Sequence, residues 1–154
     1  MLGWFKSRQK VVVSDLEIRS LFATDIDKGF VETLSSLSPV TLNEKEFSEI
    51  LRERILSGVA TIVCLHKGRI IGTAAYFVET KFLHNGGKVM HIEDVATHKE
   101  FQGFGVGKKL MTWLEVTARR ENCYKIILDC SKDNVGFYGK CGYKFHEYEM
   151  RKDL

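Results

Sequence analysis

A chain of 154 residues is one domain, long enough to bury a core unaided. Hydrophobic residues at 44% and charged residues at 28% sit near globular averages and exclude disordered and fibrous classes. The 23 basic and 20 acidic residues leave a net charge of +3, too weak for a nucleic-acid surface, though a mildly basic surface suits a phosphorylated ligand.

No apolar run is long enough to span a bilayer. Residues 1–15 read as a tail and 16–154 as the domain. In the tail, Leu2-Gly3-Trp4-Phe5 precedes Lys6, Arg8 and Lys10, the reverse of the order a secretory signal needs. Cys64, Cys123, Cys130 and Cys141 form no CxxC pair and no zinc-ligand spacing. Reduced thiols point to an intracellular, most simply cytoplasmic, protein; no metal is expected.

Strand-like alternation opens the domain at Leu16–Phe22. From Asp27, Phe30, Leu34 and Leu37 recur at helical spacing until Ser38-Pro39 stops them. Asn43 and Glu46 form a capping box ahead of a helical stripe of Phe47, Ile50, Leu51 and Ile55, which Gly58 closes. Val59–His66 and Ile70–Thr80 read as a hairpin around Lys67-Gly68-Arg69. A loop over 81–88 leads to a strand over 89–97 that carries His91, Glu93 and Asp94. A helix over about 105–121 follows, with Val106, Leu110, Trp113, Leu114 and Thr117 on one face. Strand 124–130, a short helix over 134–141 and a last strand ending near Arg151 complete an α/β single domain with a mixed sheet.

The chemistry-bearing word is Gln102-Gly103-Phe104-Gly105-Val106-Gly107, between a strand and a long helix. Glycines permit close backbone approach there, and the helix N-terminus offers unpaired N–H groups to an anion. Alone, the word fits a tight strand-to-helix turn as well as a phosphate cradle. It is no Walker loop, because no Gly-Lys-Ser/Thr follows, and its acidic preceding strand makes it a poor dinucleotide fingerprint. Glu93 and Asp94 are adjacent, so on a regular strand they face opposite sides. They are either solvated charges on an edge strand or substrate ligands. Asp129, at a strand end, is a turn cap or a base; Tyr138 is packing or an acid. His66, His98 and His146 carry no ligand-like pattern.

In context these words resemble the GCN5-related N-acetyltransferase superfamily. The strand ending His91-Ile92-Glu93-Asp94-Val95, the loop Gln102–Gly107, and Asn134 with Tyr138 occur in that family's order. Lys81-Phe82-Leu83-His84, Cys123–Cys130 and Lys140-Cys141-Gly142-Tyr143 narrow the similarity to the glucosamine-6-phosphate N-acetyltransferase family, from about Leu16 to Arg151. That resemblance implies a mostly antiparallel mixed sheet flanked by helices, acetyl-CoA as co-substrate and a homodimer serving UDP-N-acetylglucosamine synthesis. It implies that Glu93, Asp94, Val95, Gln102, Gly103, Phe104, Gly105, Val106, Gly107, Asn134 and Tyr138 bind acetyl-CoA. It further implies that Ser38, Lys81, Phe82, Leu83, His84, Glu93, Asp94, Asp129 and Arg151 meet a sugar phosphate, with Lys28 a weaker candidate. Catalytic roles fall to Asp129, which orients the amine, and Tyr138, which protonates the leaving sulfur, with a backbone N–H such as that of Val95 at the oxyanion. Other readings are a related enzyme acting on another small amine or a protein N-terminus, and a silent acyl-CoA-binding module.

Overall fold

The computed structural model describes residues 11–154. Five strands, β1 (Glu17–Ser20), β2 (Ala60–His66), β3 (Arg69–Thr80), β4 (Lys88–Thr97) and β5 (Cys123–Ile127), form one sheet in sequence order. The first three pairings are antiparallel, and β4 with β5 is parallel. Among the described residues four α-helices accompany the sheet: α1 (Phe30–Leu34), α2 (Glu44–Leu56), α3 (Val106–Arg120) and α4 (Val135–Lys140). A parallel pair needs a crossover, and α3 supplies it on one face of the sheet. The short α4 follows β5 and packs its aromatics on the α3 side. The opposite face is covered by α1 and α2.

Strand alternation divides the core. Ile62, Cys64, Ile71, Ala74, Met90 and Ile92 meet α3, while Val63, Leu65 and Ile70 meet Phe30, Phe47 and Leu51. On α3 the buried stripe is Val106, Leu110, Met111, Leu114 and Ala118. Trp113 is half-buried beside Tyr76, with ring centroids 6.3 Å apart. The capping box forms as expected: Asn43 Oδ1 accepts from Glu46 N at 3.0 Å, and Asn43 N donates to Glu46 Oε2 at 2.9 Å. The α2 stripe is narrower than its spacing predicts, because Ile50 and Ile55 are exposed and only Phe47 and Leu51 are buried.

One polar group is fully buried at the entry to α1. The Asp25 carboxylate accepts from Arg19 Nη1 at 2.6 Å, Arg19 Nη2 at 2.9 Å, Lys28 Nζ at 2.9 Å and the Phe22 N–H at 2.9 Å. Burial pushes its pKa up, but these donors outweigh burial and hold it well below the usual carboxylate range. Lys28 is therefore engaged structurally.

Two expected elements differ. The segment expected to be helical from Asp27 to Leu37 is α-helical only over the five residues of α1; a 3-10 turn (Ala23–Lys28) precedes it and residues 35–37 are turn. The strand expected after Gly142 does not form. Residues 143–154 are neither strand nor helix, since β5 ends the sheet and no neighbouring strand gives this segment a ladder. Of the expected tail, residues 1–10 lie outside the described residues, and Val13–Asp15 make a 3-10 turn whose Val13 carbonyl accepts from Lys109 Nζ at 3.0 Å.

Close approach of β3 to α3 requires Gly72. A Cβ built there would lie 2.6 Å from Val106 Cγ1 and 3.1 Å from Leu110 Cδ1. Val106 is β-branched and cannot swing aside cheaply. Gly72→Ala should therefore cost about 1–3 kcal/mol, read as a lower urea midpoint at unchanged slope.

Candidate active site

The sheet is broken where the acidic strand runs. Thr73 pairs with Ala96 and Ala75 with Glu93, so Ala74 on β3 faces two residues, Asp94 and Val95, on β4. This is a β-bulge, and Asp94 adopts φ of +51° to make it. On the other side, β4 pairs with β5 only from Lys88 to His91. Beyond His91, therefore, β4 has no ladder to β5, and at Asp94–Val95 it has none to β3. Backbone N–H groups freed in this way are ready donors for an incoming carbonyl oxygen.

The bulge also upsets the alternation that would send Glu93 and Asp94 to opposite faces. Asp94 turns toward α2, where its Oδ2 lies 3.5 Å from Arg54 Nη2. Arg54 Nε also donates to Thr61 Oγ1 at 3.3 Å, tying α2, β2 and the bulge together. Glu93 is exposed, yet its pKa is raised, first by desolvation and then by the charges of Asp94 and Asp129. Glu149, on the C-terminal segment, adds to that repulsion, while His91 opposes it. The structure thus gathers Glu93, Asp94 and Asp129 into one negative cluster at the open end of β4. Asp129 itself is exposed, two residues past the end of β5.

The Gly-rich turn follows from β4. Gly103 and Gly105 take φ of +84° and +82°, and Gly105 caps α3. Lys109 N reaches back to the Gly105 carbonyl, so the N–H groups of Val106, Gly107 and Lys108 lie in the first turn without intrahelical acceptors. Gln102 Nε2 donates to the Thr97 carbonyl at 3.3 Å. Phe104 is half-buried, and Phe137 of α4 lies so close that a Cβ on Gly107 would sit 3.0 Å from its Cζ. Asn134 is exposed at the start of α4, with no side-chain cap hydrogen bond. Tyr138 is half-buried between Phe137 and Tyr143, 5.0 and 6.0 Å between ring centroids. Burial pushes its phenol pKa up, which keeps the proton on the oxygen.

The sugar-phosphate candidates are more scattered. Lys81 Nζ lies 2.6 Å from Glu79 Oε2, which also meets His91 Nε2 at 2.9 Å. His91 in turn stacks on Phe77 at 4.4 Å. Phe82 and Leu83 are fully or largely exposed, and His84 packs on Tyr124 at 4.8 Å. Ser38 is exposed and bonds none of the others. Arg151 is exposed and engages Asp153 at 2.7 Å. Sequence patterning does not point to Arg54 or to the Glu79–His91 pair. His91, two residues before Glu93, carries a period-2 signal that could find it; Arg54 carries none beyond a charge on a helix face.

Raising a folded-state carboxyl pKa means that the native state disfavours the ionised form. That penalty applies above the ordinary Glu range of about 4.3 and fades below it. Glu93→Gln should therefore raise Tm slightly at pH 7–8, about 1 °C given its exposure, and leave Tm unchanged at pH 4. Calorimetry at the two pH values checks this.

The Acetyltransferase (GNAT) family model matches residues 28–143. The chain is 41% identical over 138 residues to "Glucosamine 6-phosphate N-acetyltransferase" of Candida albicans, covering 86% of this chain and 91% of that one. It is 38% identical over 145 residues to the Trypanosoma brucei brucei protein of the same name, covering 92% and 98%. The crystal structure of glucosamine-6-phosphate N-acetyltransferase from Arabidopsis thaliana superposes with a TM-score of 0.84 at 36% identity, over 90% of this chain and 98% of that one.

Proposed function

The chain belongs to the GNAT acetyltransferase family, and we propose that it moves the acetyl group of acetyl-CoA to the amine of glucosamine 6-phosphate. The products are N-acetylglucosamine 6-phosphate and CoA, a step toward UDP-N-acetylglucosamine. The observation that carries the acyl-transfer chemistry is the doubly opened β4 at Asp94–Val95, flanked by carboxylates and followed by the glycine turn into α3. The acceptor follows from the similarity to relatives that bear the glucosamine 6-phosphate name over nearly their full length.

The first-turn N–H groups of α3 and the turn Gln102–Gly107 hold the CoA pyrophosphate, an anion at a positive helix end. Asn134 and Tyr138 flank the pantetheine. A β4 N–H, that of Val95, receives the thioester oxygen as charge develops on it. Asp129, with Glu93 and Asp94 beside it, orients the sugar ammonium and draws off its proton. The amine then forms the N–C bond, the C–S bond breaks, and the second proton leaving nitrogen restores the Tyr138 phenol after it has protonated the sulfur. Tyr138, kept protonated by its burial, gives its proton to the departing thiolate. Lys81, His84, Arg151 and Ser38 serve the sugar phosphate, and Phe82 and Leu83 frame it. The charge of Lys81 is shared with Glu79, so Lys81 alone is a weak phosphate anchor. No step of this scheme requires a metal.

Three observations favour a homodimer. Phe82 and Leu83 are exposed, the outer edge of β5 is unpaired among the described residues, and Phe145, Tyr148 and Met150 line an exposed C-terminal segment. A second copy would cover these groups. Phe82→Ser with Leu83→Ser is expected to shift sedimentation from dimer to monomer; a wild-type monomer at micromolar concentration removes this part of the reading.

A thiol-release assay tests the activity. Glucosamine 6-phosphate should exceed glucosamine and spermidine by at least about 100-fold in kcat/KM, because a site built for a phosphate leaves its cations and donors unpaired when the acceptor lacks one. Asp129→Asn and Tyr138→Phe should each lower kcat by about 10²–10⁴. Equal rates with and without the phosphate would place the enzyme on another small amine or a protein N-terminus. Binding of acetyl-CoA without any turnover would make it a silent module.

A further inference from the structure

A cavity of about 70 Å3 lies between α1, α2 and the broken part of the sheet, and the chemistry above leaves it unused. Leu34, Leu42, Phe47, Ile50 and Leu51 wall it on the helix side, and Ala75 on the sheet side. The polar groups on its rim are already engaged. Thr73 Oγ1 donates to the Ile62 carbonyl at 2.9 Å, Arg54 Nε to Thr61 Oγ1 at 3.3 Å, and Arg54 pairs with Asp94. A water needs two to four polar partners, and these walls have few to spare; the space suits an apolar group.

Position says which one. The cavity meets the sheet at Thr73, Ala75 and Asp94, the residues that bound the β4 bulge. There the thioester carbonyl is held, on the acyl-CoA reading on which this inference rests. A chain attached to that carbonyl cannot extend to the α3 face, where Ala74, Ile92, Leu110 and Leu114 are close-packed and buried. It can extend to the α1/α2 face, where Ala75 leaves room.

We propose that this cavity is an acyl pocket, and that the enzyme accepts acyl-CoA donors one or two methylenes longer than acetyl. The space is small, about 70 Å3, and the wall of Phe47, Ile50 and Leu51 limits the length of chain it can take. Transfer of the longer acyl group uses the same step: the N–C bond forms, the C–S bond breaks, and the amine proton is balanced by the proton delivered to sulfur. Each added methylene in the pocket should tighten binding up to about fourfold, whereas a site closed beyond acetyl would reject each one by about 10-fold or more.

The test is calorimetric binding of acetyl-, propionyl-, butyryl- and hexanoyl-CoA to the full chain, which needs no acceptor. Affinity should hold or rise from acetyl to butyryl and fall at hexanoyl. Ala75→Val, which puts methyl groups into the space, should cost propionyl- and butyryl-CoA about 10-fold while acetyl-CoA binding is retained. Ile50→Ala, on the exposed wall, should extend tolerance to hexanoyl, and it decides the matter if Ala75→Val does not fold. Propionyl-CoA binding about 10-fold weaker than acetyl-CoA in the wild type overturns the proposal, as does a length profile that neither variant changes. Turnover of acetyl- and propionyl-CoA with glucosamine 6-phosphate is run in parallel. Its failure would sink the acceptor assignment alone, because the binding profile still decides the pocket.

Discussion

The site depends on one residue held in an unfavourable backbone region. Asp94 is not a glycine, yet it sits at φ of +51°, a conformation that costs an L-residue about 1–2 kcal/mol. Asp tolerates this better than most, and β4 gains a great deal from it. One extra residue against Ala74 opens the ladder toward β3 just after β5 has fallen away on the other side. An intact central strand would bury its N–H groups in pairing and leave nothing for a thioester. The surrounding fold stabilises the strained geometry: Ile92 and Ala96 are buried on either side of the break, and Arg54 draws the Asp94 side chain toward α2.

The electrostatics follow from the same break. Without the bulge, Glu93 and Asp94 would straddle the sheet; with it, desolvation first and then the charges of Asp94, Asp129 and Glu149 push the Glu93 proton affinity upward. A negative cluster suits an ammonium and repels a phosphate, so the two ends of an amino-sugar phosphate must be received in different places. The cations of this chain are distributed accordingly. Arg54 is tied to Asp94 and Lys28 to Asp25, while Lys81 is divided with Glu79 and Arg151 lies out on the C-terminal segment. The amine-facing charges are thus gathered at the break in β4, and the phosphate-facing candidates are dispersed along the chain.

What the sequence disclosed divides along the same line. Period located α2 and α3, whose apolar residues repeat toward one core face, whereas β2 and β3, buried on both faces, were legible as apolar runs either side of a Gly turn. The glycine turn was legible because positive φ and a following helix leave a compositional trace. The order of Glu93-Asp94-Val95, Gln102–Gly107 and Asn134…Tyr138 added the chemistry through resemblance. The bulge itself was not legible: Asp94 in left-handed geometry looks, as a letter, like any strand-edge carboxylate. Nor was the fate of the last segment. Phe145, Tyr148 and Met150 are apolar enough to suggest a strand, but a strand exists only where another lies beside it. Nor were the partners of Lys28 and Lys81 legible, since the pairings with Asp25 and Glu79 are set by folding and local strand geometry rather than by any residue pattern.

Arg54 shows how a residue remote from any motif can matter to the chemistry. It stands in the last turn of α2, where a cation is favoured by the helix dipole in any case. From there it reaches Thr61 on β2 and Asp94 on β4 at once. Its pairing with Asp94 is half-exposed, so its direct contribution to stability is small, about 1 kcal/mol or less. Its larger effect is geometric. It holds the side chain of the bulge residue toward α2, at the edge of the cavity that α1 and α2 wall. The ion pair thus bears on where the bulge carboxylate stands, while the register shift against β3 and the early end of the β5 ladder decide which backbone donors remain unpaired.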